Sequence, residues 1–233
     1  MHSRARRRPL SLLLVLVVVL AATPFAAAAP APAAPLAAIL LTGGAYTQDF
    51  DTLANSGTSS TTPAGWAFSE SGANANTTYT AGTGSSNSGD TYSFGATSAS
   101  DRAFGGLLSN NLTPTIGAEF QNSTGAAIVS LAISYNCEQW RLGATGRFDR
   151  MDFQYSLNAT SLTTGTWVDV NALDCPGTLS TGTVGAIDGN INRTAVSATI
   201  TSLNLANGAG FWLRWNDFNA SGADDGLAVD DFT

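Results

Sequence analysis

The chain has 233 residues, room for one sizeable domain or two small ones. Its 10 basic residues are all arginine, and four of them (Arg4, Arg6, Arg7, Arg8) stand before the first apolar run, so the remainder sets six arginines against 17 acids, a net charge near −11. Such a surface repels phosphate backbones and excludes nucleic-acid binding by this domain.

The arginine-rich start is followed by an apolar run from Leu10 to Leu20 and then by small residues around Ala26 to Ala29. That order is the mark of a secretory signal, read as residues 1–28, with the protein exported after cleavage. The apolar run is too short for a comfortable membrane span, and no cysteine follows the cleavage region, so neither a stable membrane anchor nor a lipid anchor is expected. Residues 29–44, rich in Ala and Pro and ending in a short apolar patch and two glycines, read as a linker.

From residue 45 to 233 no helical period is sustained. Short segments rich in Thr, Val, Ile and aromatics alternate with Gly, Asn and Ser instead. About a dozen strands are predicted: Tyr46–Asp51, Gly65–Glu70, Thr77–Ala81, Thr91–Phe94, Arg102–Leu107, Thr115–Gln121, Ala127–Arg141, Phe148–Leu157, Thr166–Val170, Thr194–Leu203, Gly210–Phe218 and Gly226–Phe232. Val129, Leu131, Ile133, Tyr135 and Cys137 fall on one face of their strand, and Met151, Phe153, Tyr155 and Leu157 on one face of the next. Alternation with one wet face means antiparallel sheet covered on one side. So many strands without intervening helices predict an all-β fold, a two-sheet antiparallel β-sandwich of the jelly-roll kind. The loops Asn74–Asn76 and Gly82–Gly89 read as long and mobile.

Two cysteines, Cys137 and Cys175, remain in the mature chain. In an oxidising compartment the pair reads as one disulfide, the alternative being two buried thiols.

The most specific local feature is Asp217-Phe-Asn219-Ala-Ser221-Gly222-Ala-Asp224-Asp225-Gly226. Oxygen side chains at positions 1, 3 and 5 and glycine at 6 match the first half of a calcium loop. Position 12 is Ala228, where an EF-hand has glutamate, so this is not an EF-hand. Two readings stay open: a calcium site completed by Asp224 or Asp225, or a polar turn capping its own backbone. A second acidic constellation pairs the chain ends, Asp49 and Asp51 with Asp230 and Asp231. If first and last strands lie side by side, these carboxylates repel unless calcium or protons intervene. The competing reading is an edge strand whose charges face solvent.

His2 leaves with the signal and the chain has no lysine, so the usual bases for a serine or cysteine nucleophile are missing. Two cysteines are too few for a histidine-free zinc site. Glu70, Glu119 and Glu138 are available for glycoside hydrolysis, but acids do not recur along one strand face; Asp149 and Asp152 fall on opposite faces. The domain therefore reads as non-catalytic. Five tryptophans (Trp66, Trp140, Trp167, Trp212, Trp215) lie in predicted strands, where an exposed ring stacks on sugars and a buried one fills core. Trp140 shares a face with Glu138, opposite the apolar row, which makes Glu138, Trp140 and Arg141 the candidate ligand-binding group for an extracellular glycan or polymer.

Five segments carry a resemblance: Tyr46-Thr-Gln-Asp-Phe-Asp-Thr-Leu53, Glu138-Gln-Trp-Arg141, Phe153-Gln-Tyr-Ser-Leu-Asn158, Phe211-Trp-Leu-Arg-Trp-Asn-Asp-Phe218 and Gly226-Leu-Ala-Val-Asp-Asp-Phe232. Together they resemble the jelly-roll module near the N-terminus of large bacterial secreted proteins, extracellular enzymes of the endonuclease/exonuclease/phosphatase type among them, similar in build to carbohydrate-binding sandwiches. The resemblance implies that catalysis belongs to a separate downstream domain. Two functions follow as expectations. One is a self-contained, calcium-stabilised module binding extracellular glycan or cell-surface polymer. The other is the accessory domain of a secreted nuclease or phosphoesterase whose chain continues past Thr233.

Overall fold

The computed structural model describes residues 37–233. The predicted signal segment and most of the predicted linker lie outside the described residues. In chain order the strands are β1 (Ile39–Leu41), β2 (Thr58–Ser59), β3 (Trp66–Ser71), β4 (Tyr79–Gly82), β5 (Asp90–Phe94), β6 (Ala103–Leu107), β7 (Thr113–Asn122), β8 (Leu131–Leu142), β9 (Arg150–Ser156), β10 (Val168–Asp169), β11 (Cys175–Pro176), β12 (Gly185–Ala186), β13 (Arg193–Ile200), β14 (Gly210–Asp217) and β15 (Gly226–Asp230). The helical content of the described residues is one 3-10 turn, Asn171–Leu173.

Two sheets form the sandwich. The seven-stranded sheet runs β1-β7-β14-β9-β10, with β3 also on β7 and β11 also on β9. The eight-stranded sheet runs β12-β8-β15-β6-β5-β4-β2, with β13 also on β8. All pairings are antiparallel except β1 with β7 and β4 with β5. The fold is thus the predicted sandwich, with fifteen strands rather than about twelve.

Alternation decides what each sheet buries. Phe211, Leu213 and Trp215 of β14, Met151 and Phe153 of β9, and Ile116, Ala118 and Phe120 of β7 meet Ile133, Tyr135, Leu227 and Val229 from the other sheet. At the centre Trp66 stacks on Trp215, with centroids 5.9 Å apart, and Phe50, Phe153, Tyr135 and Phe232 present edges to one or other indole. Each such aromatic pair adds roughly 0.5–1.5 kcal/mol beyond its buried area. Phe50 reaches this core from a left-handed backbone, φ 57°, unusual for a bulky side chain.

Cys137 of β8 and Cys175 of β11 form a disulfide with Cα atoms 5.2 Å apart, tying one sheet to the other inside the core.

Several segments differ from the sequence reading. The end of the predicted linker carries β1, whose Ile39 joins the core, because three apolar residues suffice to extend the β7 edge. Tyr46–Asp51 is not a strand; one bridge, Gln48 with Phe232, joins the chain ends. Val129 lies outside β8 and is exposed. The loop Gly82–Gly89 is pinned, since Arg141 Nη1 donates to the carbonyls of Gly84 (3.0 Å) and Ser85 (3.3 Å) and Tyr92 Oη donates to that of Ser88 (2.9 Å).

A second apolar cluster lies on the other face of the eight-stranded sheet: Tyr92, Phe94, Ala103, Leu107, Trp140 and Ala228. These residues alternate with core positions along their strands, yet they too are buried, so that face is not wet.

Candidate functional site

Three connections and the end of one strand meet at one end of the sandwich. Asn87 from the β4–β5 loop, Leu107 to Asn110 from the β6–β7 turn, Arg141 near the end of β8, and Gly222 to Asp224 from the β14–β15 loop enclose a cleft of about 190 Å³. Its lining offers a guanidinium, two carboxamides, a hydroxyl and a carboxylate, groups that pair with the hydroxyls of a polar ligand.

Asp224 links this cleft to a group of acids behind it. Asp149, Asp217, Asp224 and Asp225 are all buried. Asp225 Oδ1 accepts from the Gly143 amide (2.7 Å) and Oδ2 from Gln139 Nε2 (2.9 Å). Asp149 accepts from the amides of Arg150 (2.8 Å) and Asp225 (2.7 Å). Arg147 Nη1 sits 3.3 Å from Asp149 and 3.5 Å from Asp225, one cation among four carboxyls. Asp217 is the outlier: it is 2% exposed and neither carboxylate oxygen has a hydrogen-bond partner. Burial, with Asp149 and Asp224 nearby, raises its pKa well above the usual carboxylate range, and the approach of the Leu108 amide, short of a hydrogen bond, offsets only part of this. Burial also pushes Asp224 and Asp225 up to about 6.

The residues of the predicted calcium loop do not stay together. Asn219 and Ser221 are exposed, because the segment closes as a turn in which Asp224 Oδ1 accepts from the Ala220 amide at 2.8 Å. Asp217, Asp224 and Asp225 instead lie near enough to Asp149, which the loop pattern does not contain, for its charge to raise the pKa of each. The Asp149 contribution comes from the start of another strand, and no local spacing announces it.

The chain ends do come together: the Gln48 amide donates to the Phe232 carbonyl (2.9 Å) and the Phe232 amide returns the bond (2.8 Å). Asp49, Asp51 and Asp231 lie exposed around this junction. Asp51 Oδ1 accepts from the Arg102 amide (3.0 Å), and Asp231 Oδ2 accepts from Asn136 (2.9 Å). Asp230 is buried, 4% exposed, and its burial pushes its pKa to about 8. Beside it is Glu138, 1% exposed and raised to about 7, again by burial first.

Glu138, Trp140 and Arg141 do not form one open surface. Trp140 is 3% exposed, lies flat on Phe94 with centroids 6.2 Å apart, and donates from Nε1 to Glu138 Oε2 (2.9 Å). Trp66, Trp212 and Trp215 are buried as well, and the half-buried Trp167 carries the Arg214 guanidinium over its ring at 3.9 Å. The tryptophans are thus spent on packing, whereas Arg141 lines the cleft. Among the described residues the exposed phenylalanines are Phe148 and Phe218, and the Arg150 guanidinium covers the latter at 3.8 Å.

Among the described residues no three His, Cys, Asp or Glu side chains converge closely enough to make a ready-formed metal cage. No described helix is long and apolar enough to cross a membrane.

The fold and cleft define an antiparallel β-sandwich with a polar pocket built from its loops. No protein-family model and no curated protein matches the chain. Among solved structures it is similar to the carbohydrate-binding module TmCBM61 in complex with β-1,4-galactotriose, at 12% identity and TM-score 0.32 over 58% of this chain and 71% of that one. It is also similar to the isomalto-dextranase of Arthrobacter globiformis T6 complexed with panose, at 16% identity and TM-score 0.34 over 72% of this chain. This chain spans 23% of that enzyme's length. Likenesses of this size assign neither a family nor a ligand.

Proposed function

We propose that the chain is an exported, non-catalytic sandwich module that binds an extracellular glycan or cell-surface polymer in the loop-end cleft, with calcium holding the loops from behind. The carrying observation is the cleft itself, where Arg141 of β8 meets Asn87, Ser109, Asn110 and Asp224 from three connections. A hydroxyl-rich, uncharged chain suits such a mixed lining, and a net negative domain disfavours polyanions.

Asp217 supports the calcium part. Two buried, unpartnered carboxylate oxygens cost free energy unless a proton or cation meets them. The neighbouring donors are all oxygens, the set a hard cation prefers. Asp217 would anchor the ion, Asp149 and Asp224 would have to be drawn in around it, and through Asp224 the ion would stiffen the cleft wall.

The test is a glycan array probed with the protein in calcium and again in chelator, followed by Arg141→Ala and Asn110→Ala. Calcium-dependent binding that both variants lose supports the reading. Binding untouched by either variant overturns the cleft assignment. No binding anywhere, with activity appearing only in a longer natural chain, returns the accessory-domain reading.

A further inference from the structure

We infer that Glu138 and Asp230 form a second divalent-cation site, on the outer face of the eight-stranded sheet and separate from the loop-end acids. The placement follows from register. β8 and β15 run antiparallel with Asp230 opposite Asn136 and Glu138 opposite Ala228, so the two acids are diagonal neighbours on one face. Diagonal Cβ atoms lie about 7–8 Å apart. Two carboxylates reaching toward each other across that gap can share an ion at about 2.3–2.6 Å from each oxygen.

Each acid has one oxygen left over. Glu138 Oε2 is occupied by the Trp140 indole, while Glu138 Oε1 and Asp230 Oδ1 are buried without a hydrogen-bond partner. Both residues are more than nine-tenths buried, so bulk water does not solve the problem. Nor do the nearby cations. Arg193, opposite Glu138 on β13, keeps Nη1 3.8 Å from Oε1 and is itself half-exposed. Arg102 is buried, but its guanidinium donates to Ser93 and to the Ala96 carbonyl instead. The remaining charges around the pair, Asp101 and Asp231, are negative, and Asp51 adds to them at the junction. A cation answers the excess that the single, half-exposed Arg193 ion pair leaves.

The donors are carboxylates without His or Cys, which selects a hard ion such as calcium or magnesium over zinc. The two carboxylates would supply part of the ion's oxygen shell, and water carried in with the ion the rest. The ion would clamp the last strand, β15, to β8 while the chain-end acids shield it. A polar hollow of about 320 Å³ lined by Gln48, Asp49 and Asp231 opens at the junction.

The indole bound to Glu138 makes the site readable, because terbium in place of calcium would sit within energy-transfer range of Trp140. Terbium emission excited through tryptophan should be saturable and competed by calcium in the wild type and in Asp217→Asn. In Glu138→Gln and Asp230→Asn, made like the Trp140 variant in the Asp217→Asn background so that the loop-end acids take no terbium, the terbium affinity should fall at least about tenfold, as loss of a direct ligand requires when even supporting partners cost that much. Trp140→Phe should abolish the emission and keep the calcium heat measured by calorimetry. If Asp230→Asn does not fold, Glu138→Gln carries the test, since glutamine still accepts from Trp140. Emission that survives both variants overturns the site. So does a wild type whose pair holds a shared proton at neutral pH, seen as a protonated-carboxyl infrared band that calcium leaves unchanged. Loss of emission in Asp217→Asn alone would place the ion at the loop end instead.

Discussion

Removing the bridge between Cys137 and Cys175 tests how the two sheets are held together. The bridge closes a loop of 38 residues, for which the chain-entropy relation gives about 4 kcal/mol at room temperature. That loop contains β9, β10 and the 3-10 turn, so the bridge confines a whole excursion from one sheet to the other before folding begins. Against a typical domain stability of about 5–15 kcal/mol, the loss is a large share of the total. Both sulfurs are fully buried, so Cys137→Ala/Cys175→Ala removes little hydrogen bonding and leaves a small void that adds to the cost. Equilibrium urea unfolding of the oxidised wild type, the reduced wild type and the double variant gives the comparison. Reduced and double-variant proteins should unfold at similar, lower midpoints, with a slope no smaller than the wild type because their unfolded chains expose more surface. A loss below about 1 kcal/mol in both would refute the loop argument. Two reactive thiols in denatured, unreduced protein would refute the bridge itself.

Asp90 supplies a pH test. Its burial and the Glu70 carboxyl beside it, partly offset by Thr80, raise its pKa from 3.8 to about 6. Its contribution is fully present below the unfolded value, near 3.8, and is lost as pH rises through about 6. In chelator the melting temperature should decline across that window, and Asp90→Asn should flatten the decline; an unchanged slope would show that Asp90 does not titrate there. Gly189→Ala would place a methyl inside the Trp140 ring, which Phe94 and Glu138 fix, so a loss of about 1–3 kcal/mol is expected in thermal unfolding. An unchanged melting temperature would mean that the 188–192 turn does not cover the indole. Arg141→Ala should abolish glycan binding and cost about 1–2 kcal/mol, since it frees two loop carbonyls while the core stays intact. Retained binding by a folded variant would move the ligand away from the cleft.

The sandwich was legible because alternation is local. Val229 beside Asp230, or Phe153 beside Gln154, shows a sheet with two unlike faces whatever the rest of the chain does. The segments that escaped have no local signature: β1 is three residues whose strand character comes from the β7 edge, and β11 is two residues held by Cys175 and its partner. The candidate sites failed or succeeded by the same rule. Spacing within Asp217–Gly226 suggested a loop cage, but the acids that gather at Asp217 include Asp149, some 68 positions earlier, so no window of sequence contains the group.

Glu138 shows the deeper difficulty. Alternation correctly placed it with Trp140 on the face turned away from the main core. Alternation says which side a residue takes, however, and not whether water reaches that side. Phe94, more than forty positions upstream, stacks onto Trp140, and Tyr92 stacks on Phe94 in turn, which makes that outer face apolar. Without them Glu138 would be a solvated surface acid and Trp140 an open ring for a sugar to rest on. With them the indole is spent on packing, one oxygen of Glu138 is fixed by the indole, and the other is sealed beside Asp230. The long-range packing that removes the predicted sugar platform is therefore what creates the buried carboxylate pair, and the two readings of this face cannot both hold.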